Sequence, residues 1–114
     1  MSDVYQLTGN TGSLRYMAPE VALRLPYNEK VDVYSFGIIL WQMAEDKVPY
    51  KGFTKEEFMS QVVKKSYRPP ISKQWPMEFS NLLRKCWDRE PANRPTCSQI
   101  LETLDQIIQV VSSK

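Results

Sequence analysis

Few side chains in this 114-residue sequence have the type and spacing to do chemistry. It has no histidine and two cysteines, Cys86 and Cys97. That excludes a Ser-His-Asp or Cys-His centre, any histidine-ligated metal and any four-cysteine zinc site, so no metal is expected. The hydroxyls of Thr8, Thr11 and Ser13 flank or fall within Gly9-Asn10-Thr11-Gly12. Glycine loops that cradle phosphate or clamp RNA need a strand or helix directly before them, and there is no room for one here. The stretch reads as a turn. Asp32 is a lone charge in an apolar run and needs a partner. Lysine and arginine number 15 against 13 acids, a net charge of +2. The densest basic clusters are the pairs Lys64-Lys65 and Arg84-Lys85, which read as solvated helix faces and leave nucleic-acid binding little support beyond a pI near 8.5.

The elements that must position these groups are helical. Residues 1–18 show neither a helical nor an alternating period and read as a loop. Ala18-Pro19-Glu20 opens a short helical turn that ends before Pro26, with proline tolerated in its first turn. From Asn28 to about Ala44 the sequence is apolar on nearly every side. Its length favours a helix, and a helix apolar all round is expected to be buried all round. Gly37 inside it costs about 1 kcal/mol relative to alanine, which suggests that another backbone packs closely there. Thr54 to Glu57 forms a capping box ahead of a helix to Lys65, whose Phe58 and Met59 offer a docking face. Tyr67 to Ser72 is an extended connector. Pro76 opens a helix with Phe79, Leu82, Leu83, Cys86 and Trp87 on one face. After a stiff loop, Thr96 and Gln99 make a second capping box, and Ile100, Leu101, Leu104, Ile107, Ile108 and Val111 trace the inner face of a last helix. The fold class is all-α.

At 42% hydrophobic and 25% charged, the chain is globular and sized for one domain. The cysteines do not suggest a disulfide framework, and no secretory signal precedes the first element. Phe36 to Trp41, the longest apolar stretch, is far too short to span a membrane. An intracellular, cytoplasmic chain is expected.

Three motifs go further than period and composition. Gly12-Ser13-Leu14-Arg15-Tyr16-Met17-Ala18-Pro19-Glu20, Asp32-Val33-Tyr34-Ser35-Phe36-Gly37, and Cys86-Trp87-Asp88 running into Asn93-Arg94-Pro95 occur in that order. Together they resemble the C-terminal lobe of the eukaryotic protein kinase catalytic domain, most of all the serine/threonine kinases of the tyrosine-kinase-like group. The resemblance covers about Leu7 to Val111. It divides the chain into an activation-segment loop (1–18), a C-lobe helical subdomain (19–111) and a tail (112–114).

The resemblance also assigns roles. It pairs Glu20 with Arg94, a forked and permanently charged partner suited to a desolvated carboxylate. It makes Asp32 the anchor of a catalytic loop, with a helix-dipole role at the start of its own helix as the alternative. It gives Ile39 and Met43 to the support of a hydrophobic spine, core positions on either reading. Ser13 would supply a hydroxyl toward the catalytic loop, and Leu14, Arg15 and Tyr16 the pocket beside a substrate's acceptor residue. Tyr16, where tyrosine kinases more often carry tryptophan, favours Ser/Thr acceptors over tyrosine. Thr8 and Thr11 match activation-loop phosphosites, or else serve as turn formers.

Phosphoryl transfer further requires a glycine-rich loop, a strand lysine, a catalytic aspartate and magnesium ligands. The sequence has no G-x-G-x-x-G, no H-R-D and no D-F-G. By the resemblance it starts inside the activation segment, so the expectations are a fragment without catalytic residues, inactive alone and binding no cofactor. ATP and Mg2+ would belong to the complete kinase. The expected partners are a protein substrate and the upstream kinase segment, with no nucleic acid and no membrane. A non-catalytic helical module for protein docking is the competing reading. Loss of upstream neighbours predicts an exposed apolar surface on the Asn28–Ala44 helix.

Overall fold

The computed structural model describes residues 14–112, so Thr8, Thr11 and Ser13 lie outside the described residues. Among those described the chain is helical with no strand, as an all-α C-lobe fragment requires. A 3-10 turn (Leu14–Tyr16) leads into α1 (Pro19–Ala22), then α2 (Lys30–Glu45). A short α3 (Lys55–Glu57) continues as a π-helical turn (Phe58–Lys64), followed by α4 (Met77–Cys86), a 3-10 turn (Pro91–Asn93) and α5 (Cys97–Ser112).

Local signals set the ends of these elements. Pro19 occupies the first turn of α1, where its missing N–H has no partner to lose. Asn28 Oδ1 accepts from the Lys30 N–H at 3.0 Å at the start of α2. Asp46 closes α2 in the left-handed region, its N–H donating to Gln42 O at 2.8 Å. Both capping boxes form. Thr54 Oγ1 accepts from the Glu57 N–H at 3.1 Å and Glu57 Oε1 from the Thr54 N–H at 2.8 Å. Thr96 and Gln99 make the same exchange at 3.1 and 2.9 Å.

The core is built around α2. Tyr34, Ile38 and Trp41 pack with Ala18, Leu83 and Trp87, while Val33 meets Leu82, Cys86 and Ile100. α4 comes so near that a Cβ placed on Gly37 would lie 2.6 Å from the Cys86 Cβ. The glycine is therefore where one helix backbone approaches the next, the compensation its helix propensity demands. A third cluster joins Leu14 and Met17 to Tyr50, Phe58, Val62 and Val63. Trp41 of the first cluster adds a directional tie to the connector before α4, its Nε1–H donating to Pro70 O at 2.6 Å.

Several expectations need correction. α2 is buried on one side only, because α4 and the 3-10 turn cover the face of Tyr34, Ile38 and Trp41 while no described element covers the opposite one. Ile39 (43% exposed) and Met43 (72% exposed) lie on that open face with Phe36, so they are not core residues. The helix expected from Thr54 to Lys65 widens into π geometry at Phe58. Phe58 is then wholly buried and unable to serve as a docking residue; Met59 stays partly exposed. On α5 the apolar stripe is only partly an inner face. Ile100 is buried under α4, whereas Leu101 and Ile108 project into solvent at 69% and 60% exposure. No helix among the described residues is long and apolar enough to cross a membrane.

Candidate functional site

Of the residues singled out from sequence, Leu14, Arg15, Tyr16, Glu20, Asp32 and Arg94 lie at the junction of the 3-10 turn, α1, the start of α2 and the loop before α5. α1 places Glu20 in its first turn, and the Pro91–Asn93 turn delivers Arg94 opposite it, 74 residues away in sequence. The pair is bidentate: Arg94 Nη1 donates to Glu20 Oε2 at 2.7 Å and Nη2 to Oε1 at 2.9 Å. Arg94 is 2% exposed, and Glu20 is also buried.

Two more of the guanidinium N–H groups are bonded. Nε donates to Asp88 O at 2.9 Å and Nη1 also reaches Lys30 O at 3.0 Å. Lys30 Nζ returns a bond to Arg94 O at 2.6 Å. A buried charge persists only when paired and hydrogen-bonded in this way. Its flat face lies over the Tyr34 ring, 5.1 Å from the centroid, and Arg68 lies over the same ring at the same distance.

Arg68 was not singled out from sequence. Its Nε donates to Trp87 O at 3.0 Å and its Nη1 to Val62 O at 3.2 Å. Arg89 Nη1 donates to Val63 O at 2.5 Å, and the Tyr67 N–H to Gln61 O at 2.8 Å. Three successive carbonyls at the end of the π turn thus find donors, two of them cationic, as a helix C-terminus favours. The sequence signal for Arg68 was a charged residue directly before Pro69-Pro70 in an otherwise extended connector.

Tyr16 is tied to α2 twice. Its hydroxyl donates to Gln42 Oε1 at 2.5 Å, and Ser35 Oγ donates to Tyr16 O at 2.6 Å. Ser35 and Gln42 were also missed, although they are polar residues seven apart, hence on one face, in an apolar helix. Leu14 and Met17 turn inward to the cluster with Phe58, and Arg15 holds its Nε buried with no hydrogen-bond partner among the described residues. Asp32 is exposed in the first turn of α2; its N–H donates to Glu29 O at 3.1 Å, and its carboxylate has no hydrogen bond or ion pair among the described residues. Its surroundings there are the helix N-terminus. Ile39 and Met43 are not brought to this junction.

Burial raises the hydroxyls of Tyr34 and Tyr50 above the ordinary tyrosine range, so both stay neutral. It also pushes the Cys86 thiol up to about 12. Neither cysteine is in a disulfide, and Cys97 is exposed. No cluster of three or more His, Cys, Asp or Glu able to hold a metal occurs among the described residues. The junction therefore clamps the 14–20 segment through the buried ion pair and the two ties of Tyr16 to α2.

An open groove of about 710 Å³ runs beside it, lined by Leu14, Met17, Val21 and Met59 with Arg24, Lys55 and Asp32 among the polar residues.

A family model described as protein tyrosine and serine/threonine kinase matches residues 1–104. The chain is 40% identical over 105 residues to serine/threonine-protein kinase STY17 of Arabidopsis thaliana, covering 92% of this chain and 18% of that protein. It is 38% identical over 103 residues to serine/threonine/tyrosine-protein kinase HT1 of the same plant, covering 90% and 26%. To mitogen-activated protein kinase kinase kinase 12 of Rattus norvegicus it is 39% identical over 105 residues, covering 92% and 12%. The chain thus spans about a quarter or less of the length of these relatives.

Proposed function

The chain belongs to the protein kinase family, and from that premise we propose that it forms the acceptor-docking part of the C-terminal lobe of a serine/threonine kinase. In that reading Ser13, Leu14, Arg15 and Tyr16 border the acceptor residue, and the buried Glu20–Arg94 pair holds their segment on the helical body. The observation that carries it is that ion pair together with the two ties of Tyr16 to α2. A loop that positions a substrate must be fixed before the substrate arrives, since small misplacement is costly in rate. Thr8 and Thr11 are the phosphosites of this reading, and Asp32 anchors the catalytic loop of the complete protein.

The residues present do not fit ATP or magnesium. No glycine-rich loop, H-R-D or D-F-G occurs in the sequence, and no described carboxylate cluster suits a metal. No step of phosphoryl transfer is assigned to these side chains. Nucleotide and Mg2+ would belong to the complete kinase, where the nucleotide would supply the transferred phosphoryl group and the metal would neutralise its charge.

The test has two parts. Purified 114-residue chain given radiolabelled ATP and a generic protein substrate should transfer nothing; saturable, ATP-dependent labelling refutes that part. Extending the coding sequence upstream and expressing the longer product should give a kinase whose labelled substrate yields phosphoserine and phosphothreonine. Phosphotyrosine alone would move the acceptor class to tyrosine. A message lacking the upstream motifs favours the non-catalytic docking module.

A further inference from the structure

On α5, Ile100 is buried against α4 and Leu104 packs partly on the same cluster, but the apolar stripe does not stop there. Leu101 and Ile108 continue it outward at 69% and 60% exposure, and Cys97 opens it as an exposed thiol. Cys97, Leu101, Leu104 and Ile108 follow one another at intervals of four, three and four, the seam of a two-stranded coiled coil. The 16-residue helix is about 24 Å long, enough for two such heptads. Its charge is all of one sign. Glu102 and Asp105, both exposed, edge the stripe, and Cys97–Ser112 contains no lysine or arginine. Gln109 steadies Asp105, its Nε2 donating to Oδ2 at 3.0 Å. Residues 1–13 contain no lysine, arginine or histidine either. Asp105 and Ile108 lie past the residues that the family model matches, although the helix runs on without a break.

We propose that this stripe of α5 pairs with an amphipathic helix of a protein partner whose Leu or Ile seam is flanked by Lys or Arg. The aliphatic side chains interlock with Leu101, Leu104 and Ile108, and the flanking cations meet Asp105 and Glu102. An acidic rim repels nucleic-acid phosphate and anionic lipid alike. A second copy of α5 would bring its own two acids to the pairing and no cation to offset them. The inference goes beyond the kinase reading and does not need it, because binding alone tests it.

The probe is a fluorescein-labelled peptide, GKIAALKKKIAALKKG, titrated with the 114-residue chain and read by anisotropy. Saturable binding is expected, and it should slow chemical labelling of the Cys97 thiol, which the peptide covers. Leu101→Gln with Ile108→Gln should weaken binding about tenfold or more. Ile39→Gln with Met43→Gln, on the open face of α2, should leave it unchanged. Glu102→Lys with Asp105→Lys should weaken it about tenfold and gain binding to GEIAALEEEIAALEEG, a reciprocal effect that a misfolded protein cannot give. Absence of binding, equal binding of both peptides by the parent chain, or an affinity unchanged by the Leu101 and Ile108 substitutions overturns the proposal. So does loss of binding in the α2 variant, which would place the peptide there. Self-association that Leu101→Gln with Ile108→Gln abolishes, without peptide binding, assigns the stripe to a second copy and overturns it as well.

Discussion

Weakening the Glu20–Arg94 pair should be the most damaging polar change available in this chain. Each of its two hydrogen bonds, at 2.7 and 2.9 Å, links ionised groups in a buried setting. Bonds to charged groups contribute about 1.5–3 kcal/mol each, so losing both costs about 3–6 kcal/mol. Stranding a buried charge gives a similar figure by a separate route, about 3–5 kcal/mol. A domain of this size is stable by only about 5–15 kcal/mol, so full truncation at either end risks unfolding it. The informative perturbations are therefore the mild ones. Glu20→Gln keeps one acceptor oxygen, and Arg94→Lys keeps the cation but loses the fork and its reach to Asp88 O and Lys30 O. Each should cost about 2–3 kcal/mol. At roughly 1–3 kcal/mol per molar urea, that lowers the urea midpoint by about 0.7–3 M. Circular dichroism across a double-mutant cycle should then give a coupling of about 1 kcal/mol or more, since the residues share both bonds. Additivity within about 0.5 kcal/mol would refute the reasoning, because the fork would then contribute nothing that the separate residues do not.

Three further outcomes are expected. Gly37→Ala should destabilise by about 1–3 kcal/mol although alanine is the better helix former, because its methyl would sit 2.6 Å from the Cys86 Cβ; adding Cys86→Gly should recover part of the thermal midpoint, and no recovery would contradict the contact. The urea midpoint should stay level up to about pH 9 and fall above it. Cys86, raised from an ordinary value near 9 to about 12, and the raised Tyr34 and Tyr50 hydroxyls keep their protons in the folded state and lose them first in the unfolded one; a level midpoint through pH 11 would be inconsistent, and thiol labelling of native protein should modify Cys97 alone. Replacing Ile39 and Met43 together with glutamine should reduce binding of a hydrophobic dye at a cost below about 1 kcal/mol, given their exposure on the open face of α2; a large loss of stability would show that face to be covered.

Much of the fold was legible because its signals are local. The capping boxes at Thr54 and Thr96 and the prolines at the heads of α1 and α4 act within one helical turn, so the sequence places those starts closely. Gly37 could be read as a close approach because a glycine inside an apolar helix needs a packing reason. The motifs that resemble a kinase lobe named Glu20 and Arg94 as partners before any geometry was known. Ser35 and Gln42 were legible in principle, from their shared face, but only the position of Tyr16 explains them.

What the sequence by itself determined, then, is the helical class, the starts of the capped helices and the family, since each depends on residue types and short spacings. Only the tertiary structure decided which side of α2 is covered, that a π turn swings Phe58 inward, and that Arg68 joins Arg94 across the Tyr34 ring. An apolar pattern states how much surface prefers burial but not which neighbour arrives to bury it. That depends on elements dozens of residues apart meeting in space, as Glu20 and Arg94 do across 74 residues.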